Sequence, residues 1–235
     1  MNTEDVTLGK IAIAGLLFNS LTPYNASLAK FRKATKRRLD FTSEGHRNAL
    51  MDWLNAWGCR HLSKKNRRVA SGSILDWYQS NRAALFSDKT PIWQLKDQQI
   101  QIAADSYGSL KDRIGARHSR YGNELQVHIG PTAASKILFA LRPKALMPWD
   151  DAMRKSFDCD GSPESYSKYL VETRDLTLHI EKLCRNKDFQ IDGLPGKLDR
   201  AGSTVVELLN EYIWVRTRGI KLPSSQTLTQ WASLG

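Results

Sequence analysis

Cysteine is scarce in this chain, and so are the spacings by which cysteine and histidine hold metals. Only three of the 235 residues are cysteine, Cys59, Cys159 and Cys184, and they are widely separated. This excludes a four-cysteine zinc or iron–sulfur cage within one chain and offers no disulfide framework. The five histidines form no HExxH motif. We therefore expect neither a metal site nor a cofactor.

Long apolar runs are also missing. The longest candidate, residues 11–18, is much shorter than the roughly 20 residues that span a bilayer. It follows two acidic residues and one lysine rather than a basic segment, which is atypical of a signal peptide. We therefore expect a cytoplasmic protein without a membrane partner, and we expect it to be a monomer.

Strand signals are nearly absent, whereas helical periodicity recurs along the chain. Helices are predicted over residues 8–20, from residue 25 or 27 to 39, from Ser43 to Gly58, from Ser73 to Leu85, over 93–104, from Ser162 to Leu183, and from Val205 onward. The glycine-broken segment 112–122 has no predicted element, and residues 223–235 are expected to form a loose tail. The sequence thus predicts an all-α protein whose aromatic stripes form the core.

Positive charge is in excess. Lysine and arginine number 35 against 24 acidic residues, which gives a net charge of +11 and a pI near 9.7. Because phosphate neutralisation dominates nucleic-acid affinity, this charge favours polyanionic partners, although ribosomal, membrane-surface and ordinary soluble proteins share it. Residues 30–38 and 64–68 are candidate backbone contacts. Arg117 and Arg120 are better placed, because they lie just before the motif described next.

The most informative segment, residues 127–157, reads VHIGPTAASKILFALRPKALMPWDDAMRKSF. It resembles the helix-hairpin-helix DNA glycosylase superfamily, whose pattern is a glycine hairpin, a small-residue helix, a short connection and an aspartate that opens the next helix. Ile129-Gly130 matches the end of the hairpin, residues 132–141 the second helix, and Asp150 the catalytic aspartate. The resemblance covers about 30 residues. It implies one helical domain over 1–235, with two lobes around a cleft and a hairpin lobe at about 90–160.

The hairpin has a physical rationale as a DNA-backbone site. Gly130 lets the backbone approach a phosphate, and the helix that begins there favours an anion at its N-terminus. His128, Ile129, Thr132 and Lys136 are the further candidate contacts, Thr132 through its hydroxyl and Lys136 through its charge. Such an element positions DNA without reading bases. The alternative interpretation is an ordinary glycine turn before a core helix.

Asp150 has two compatible interpretations. It follows Pro148 and Trp149 and precedes a helical run, so an N-cap is its commonest role. The same helix terminus would hold the carboxylate ionised and suit it to stabilise a cationic sugar as a glycosidic bond breaks, or to activate water. Asp151 is the second choice.

The resemblance also bears on the reaction type. Bifunctional members of the family carry a lysine nucleophile near the start of the second helix, and the matching position here is Thr132. This implies a monofunctional enzyme without lyase activity. His128 departs from the pattern, because it stands where the family has the first hairpin glycine.

A base excised from a duplex must be flipped into a pocket between aromatic or apolar groups. Trp149, next to Asp150, is the first candidate for the pocket wall, with a core role as the alternative. Trp53, Trp57, Trp77 and Tyr78 are predicted to lie in the core.

The leading hypothesis is therefore a DNA glycosylase that acts on double-stranded DNA. It fits repair of damaged bases, or defence against phage DNA with hypermodified bases such as glucosylated hydroxymethylcytosine. The alternatives are a non-catalytic helix-hairpin-helix DNA-binding protein and a helix-turn-helix regulator over residues 43–81.

Overall fold

The computed structural model describes residues 5–36, 38–62, 66–120 and 123–232, apart from the side chains at positions 120, 123, 225 and 232. These residues form α-helices and one two-stranded ribbon. In chain order they are α1 (Leu8–Leu21), α2 (Tyr24–Ala34), α3 (Glu44–Ala56), α4 (Arg67–Asn81), α5 (Asp97–Lys111), β1 (Ile114–Arg120), β2 (Asn123–His128), α6 (Gly130–Leu141), α7 (Asp151–Ser156), α8 (Pro163–Arg185), α9 (Leu194–Lys197), α10 (Val205–Thr217) and α11 (Ser225–Ala232). The predicted all-helical class is confirmed in outline.

The antiparallel ribbon β1–β2 is the main departure from the predicted secondary structure. It covers most of the segment 112–122, and its register pairs Arg117 with Gln126 and His118 with Leu125. Its strands are short and rich in Arg, His, Ser, Asn and Glu, and the alternation of Leu125 and Val127 in β2 is too brief to predict a strand on its own. Tertiary contacts stabilise the ribbon instead, because β1 packs on α4 and the backbone N–H of Arg117 donates to Asn66 Oδ1 at 3.3 Å.

This ribbon changes the local geometry expected before α6. The helix that precedes α6 in the chain is α5, which packs against it, and the ribbon lies between the two. The expected short glycine hairpin at 128–130 is therefore the end of a β-hairpin. Gly115 allows close packing there, because a Cβ at this position would lie 2.7 Å from the Leu62 side chain and 3.2 Å from the Ile129 backbone.

At Ser43 and Ser162, where the sequence shows a capping residue, the helix begins at the predicted position. Ser43 Oγ accepts from the backbone N–H of His46 at 3.4 Å, and Ser162 Oγ accepts from Ser165 at 3.1 Å, so both predicted N-caps are confirmed. Several other boundaries differ, and the helix predicted over 93–104 is α5, Asp97–Lys111. Helix α4 begins at Arg67 rather than at Ser73, and α2 ends at Ala34 rather than near residue 39, and a turn with Lys36 at φ +49° follows Ala34.

The buried apolar side chains form one continuous cluster that extends from Val6 to Val215. Trp53 and Trp77 are fully buried in it, as predicted, and Trp53 stacks on Phe31 with ring centroids 5.1 Å apart. The tail that was expected to be loose carries helix α11, which contacts α1. The two-lobed arrangement around a cleft stays a prediction. Within the described ranges, no helix has the length and apolarity required to cross a bilayer.

Candidate functional site

A cavity of about 470 Å³ opens beside the start of α6. Its volume lies within the range of small-molecule sites in proteins. Parts of α1, α2, α6, α7 and α10 surround it, together with the segment that follows α3 and the connections that precede α6 and α7. The lining residues are Phe18, Tyr24, Trp57, Gly58, Cys59, His61, Ile129, Gly130, Pro131, Thr132, Lys136, Pro148, Trp149, Asp150, Asp151, Met153, Asn210 and Trp214.

Asp150 lies at this cavity as the N-cap of α7. Its Oδ1 accepts from the backbone N–H of Met153 at 2.9 Å, and its Oδ2 accepts from Arg218 Nη2 at 2.6 Å. The side chain is 23% exposed, so it is neither fully solvated nor sealed in the core. The predicted N-cap is therefore confirmed, and the same geometry fixes both carboxylate oxygens at the edge of the cavity.

Three buried side chains hold the connection that leads to Asp150. Ser135 Oγ accepts from the backbone N–H of Trp149 at 3.1 Å, while the Tyr166 and Tyr169 hydroxyls donate to the carbonyls of Met147 and Pro148 at 3.1 and 3.2 Å. Burial raises the pKa of both phenols well above the usual value, so they remain donors. Helices α6 and α8 thus fix the backbone immediately before Asp150.

Lys136 requires a correction, because it points inward rather than toward a surface phosphate. The residue is 6% exposed, and its Nζ donates to the carbonyl of Trp57 at 2.6 Å while lying 5.5 Å from the Trp57 ring centroid. Burial lowers the pKa of its ammonium group. The expected charge contact with the DNA backbone is therefore replaced by a buried amine in the cavity wall.

The hairpin residues divide into two groups. Gly130 has φ +76°, a conformation that favours glycine. No atom lies within 4 Å of the position that a Cβ would take there. Thr132 lines the cavity beside Gly130. Ile129 is buried, and its N–H donates to the Arg113 carbonyl at 2.7 Å, so this amide already has a partner within the protein. His128 is exposed at the end of β2 and does not line the cavity.

Trp149 borders the cavity, but its ring belongs to the core. It is 1% exposed, it packs against Tyr107, Tyr166 and Tyr169, and its Nε1 donates to the Pro131 carbonyl at 3.1 Å. The core interpretation of this tryptophan is thus the one that the structure supports.

Other rings form the aromatic side of the cavity. The ring centroid of Tyr24 lies 5.4 Å from that of Trp57 and 6.5 Å from that of Trp214. The Phe18 and Trp214 rings pack edge to face, with centroids 5.2 Å apart. Trp57 was predicted to be core, and it is buried, but it also lines the cavity. Phe18, Tyr24 and Trp214 received no site assignment from the sequence, because they come from α1, α2 and α10.

Helix α10 contributes two further polar groups that sequence reasoning missed. Asn210 lines the cavity and is 7% exposed. Arg218, just after α10, donates to Asp150 and lies 4.7 Å above the Trp214 ring centroid. The only available signal for Asn210 was its place on an apolar helix, which is typical of core packing as well, and Arg218 follows that helix with no sequence signal of its own.

Asp151 is less suited to act in the cavity than Asp150. Its side chain is largely exposed and pairs with Arg154 at 2.6 Å and with Lys155 at 2.8 Å. The hydrogen bond from Lys155, the largest influence, lowers the pKa of Asp151. It therefore lies at the rim, engaged with its own helix.

The basic candidates are spread over different faces and partners. Arg117 is half exposed and pairs with Glu124 at 3.1 Å, whereas the side chain of Arg120 lies outside the described residues. In the run 30–38, Arg32 pairs with Glu207 at 2.6 Å, while Lys30, Lys33, Lys36 and Arg38 are exposed and residue 37 is not described.

In the run 64–68, residues 64 and 65 are not described. Arg67 pairs with Asp52, and Arg68 is exposed. Neither basic run lines the cavity within the described part of the chain.

No group of three or more metal-ligating side chains occurs among the described residues. Comparison with protein-family models, with curated proteins and with solved structures finds no match to the chain. The family resemblance of residues 127–157 therefore rests on that segment and stays a prediction.

Proposed function

We propose that the protein is a monofunctional DNA glycosylase that hydrolyses the N-glycosidic bond of a damaged or modified base in double-stranded DNA. The observation that carries the proposal is the position of Asp150, a partly exposed carboxylate held by two hydrogen bonds at the edge of a cavity with aromatic walls. The same residue is the one that the resemblance assigns to catalysis.

The reaction requires a carboxylate near the sugar and a cavity for the base. The carboxylate of Asp150 stabilises positive charge on the sugar as the base leaves with the bonding electron pair, and water then adds to C1′. Water supplies the oxygen of the abasic sugar, the proton that this water loses passes to Asp150 or to solvent, and the departing base takes up a proton from solvent. The rings of Trp57 and Trp214 offer apolar surface to the flipped base.

DNA binding is supported by charge and by backbone geometry. The net charge of +11 favours a phosphate polymer. Gly130 opens α6 at the mouth of the cavity, with free space where a side chain would be, so a DNA backbone can approach the amides of the first turn. Within this proposal Gly130 and Thr132 remain backbone contacts, whereas Lys136 no longer does.

Hydrolysis without lyase activity is part of the proposal. Thr132 occupies the position at which the family's bifunctional members carry lysine, and the amine of Lys136 is bonded to the Trp57 carbonyl at 2.6 Å. Borohydride should therefore trap no covalent complex with DNA. A trapped complex that disappears in Lys136→Met would contradict the hydrolytic assignment and identify the attacking amine.

A second function, DNA binding without catalysis, is favoured by one specific observation. Both oxygens of Asp150 already have protein partners, Met153 and Arg218, as expected of a purely structural cap. In that case the chain would bind DNA and release no base from any substrate.

The decisive experiment compares Asp150→Asn with the wild-type protein on duplexes that bear oxidised, alkylated, mismatched and phage-type hypermodified bases. Alkali then reveals abasic sites. Because asparagine caps a helix as well as aspartate does, the variant should fold and bind DNA normally. Its base release should fall by about 100-fold or more, the range seen when one transition-state contact is lost.

Asp151→Asn is the matched control, since it removes the adjacent carboxylate at the rim, and it should keep nearly full activity. Loss of activity in Asp151→Asn alone would move the catalytic role to that residue. Absence of product from every duplex with the wild-type protein would favour the non-catalytic function. Product from damaged bases would point to repair, and product from hypermodified bases would point to defence against phage.

A further inference from the structure

Asn210 is a polar side chain in the wall of the cavity. It lies on α10, is 7% exposed, and lines the same cavity as Asp150. Among the residues that the structure describes, its carboxamide makes no hydrogen bond. The neighbouring buried polar side chains are different: Glu207 pairs with Arg32, and Glu211 pairs with Arg200.

The Asn210 amide is unpaired but not sealed off, because its polar atoms are not among the fully enclosed side-chain atoms that lack a partner. Its acceptor and its two donors are therefore open to whatever occupies the cavity. Since the amide faces a cavity rather than the packed interior, the missing partner is best supplied by a ligand inside the cavity.

The surroundings indicate what kind of ligand that is. Trp214 follows Asn210 by one helical turn on α10, and its ring lines the cavity together with Trp57. A planar ligand that contacts these rings presents its edge, rather than its face, to groups in the cavity wall. A carboxamide offers one acceptor and two donors in a plane, which suits the polar edge of a nucleobase.

We propose that Asn210 determines specificity by pairing with the edge of the extruded base. The preferred base carries a hydrogen-bond donor and an acceptor side by side, as in the N–H and C=O of a lactam. Methylation of that ring nitrogen removes the donor and adds bulk, so such bases are rejected. This inference rests on the proposed function, since it assigns the substrate class of the same cavity.

The experiment measures binding of free bases to the intact protein by quenching of tryptophan fluorescence. Uracil and 3-methyluracil form one pair of probes, and hypoxanthine and 1-methylhypoxanthine form another. The wild-type protein should bind each unmethylated base more tightly than its methylated partner, by about tenfold, as expected for one or two hydrogen bonds. Asn210→Leu should abolish that difference.

A second measurement separates recognition from folding. Because the Asn210 amide faces the open cavity and has no protein partner to lose, Asn210→Leu should change Tm by less than about 2 °C. Asn55→Leu is the matched control, because the Asn55 amide donates to the Leu62 carbonyl at 3.1 Å and lies outside the cavity lining. That variant should lose Tm and keep the base preference of the wild-type protein.

Failure of this inference differs from failure of the proposed function. Equal binding of methylated and unmethylated bases by the wild-type protein, no binding of any base, or an unchanged preference in Asn210→Leu would overturn the role of Asn210, even if DNA substrates still release their bases. Preference that depends on Asn210, with no release from any duplex, would support the recognition role and contradict the glycosylase.

Discussion

The cavity has two sides of different origin. One side is continuous in sequence and runs from Gly130 through α6 and the following connection to Met153 in α7. The other side is assembled from α1, α2, the end of α3 and α10, which lie far apart along the chain. The first side carries the carboxylate, and the second carries most of the aromatic rings and the unpaired amide.

The difference shows what a local pattern can and cannot contain. Asp150 lies where its helix begins, so the same residues that form the helix also position the carboxylate. Trp214 and Asn210 look like any core residues of an apolar helix, and only the packing of α10 against α1 and α7 brings them to Asp150.

The sharpest contrast between the two sides is between their tryptophans. Trp149→Ala should lower the free energy of unfolding by about 3–5 kcal/mol, because it empties a packed site among three tyrosines. Trp214→Ala should cost less stability and should lower base release by about 5- to 150-fold, the equivalent of the 1–3 kcal/mol that stacking on a base contributes. Urea denaturation and alkali-revealed abasic sites measure the two quantities.

The reverse result would break the comparison. If Trp214→Ala mainly unfolds the protein and Trp149→Phe, which keeps the core filled, mainly slows base release, then the ring beside Asp150 is the base-binding wall after all. DNA affinity measured alongside shows whether either variant has lost the duplex rather than the base.

A variant of Ser135 tests whether the side of the cavity that is continuous in sequence depends on a hydrogen bond from α6. Ser135→Ala leaves the buried N–H of Trp149 without its acceptor, so the free energy of unfolding should fall by about 1–3 kcal/mol. Base release should fall as well, because the backbone before Asp150 loses one of its three anchors. Ser80→Ala removes an exposed hydroxyl on α4 that bonds to the Asp76 carbonyl, and its stability should change by less than about 0.5 kcal/mol. Equal activity per folded molecule in Ser135→Ala would limit Ser135 to a stabilising role.

The smallest expected effect concerns the pH dependence of stability at Lys136. Burial lowers the pKa of this lysine in the folded protein, so the unfolded chain binds more protons between that pKa and the ordinary value of about 10.4. Stability should therefore rise with pH across that window in the wild-type protein, relative to Lys136→Met. Urea denaturation from pH 7 to 10 measures the difference, and the exposed Lys168→Met is the control. Parallel curves for wild type and Lys136→Met would mean that the ammonium group is as well stabilised in the fold as in water.

Local signals predicted a helix correctly where a residue that caps its first turn stands directly before it. Ser43 and Ser162 are such residues, and both make the expected bonds. The ribbon was not predicted in this way, because the apolar alternation in its strands is short, Ile114 with Ala116 and Leu125 with Val127, and because the ribbon depends on Asn66 and α4. The start of α4 at Arg67 was missed for a related reason: Asn66 makes no side-chain cap bond there, and its side chain bonds to the ribbon and to the His61 carbonyl instead.

Lys136 shows the limit of reasoning from spacing alone. Its place one turn after Thr132 on α6 predicted the correct face of the helix, yet not whether that face meets solvent. The end of α3 covers it, with the Trp57 carbonyl as its partner, so a residue expected at the DNA backbone lies in the cavity wall.

By itself the sequence determined the helical class, the positive charge, and the position of Asp150 at the start of a helix, because each depends on composition or on residues within one turn of each other. The tertiary structure decided that Asp150 borders a cavity, that Lys136 is buried, that Trp149 packs in the core, and that Tyr24, Trp57, Trp214 and Asn210 share the cavity. These outcomes depend on which helix faces meet. The free energy of packing the whole core decides which faces meet, and residues from Val6 to Val215 contribute to it.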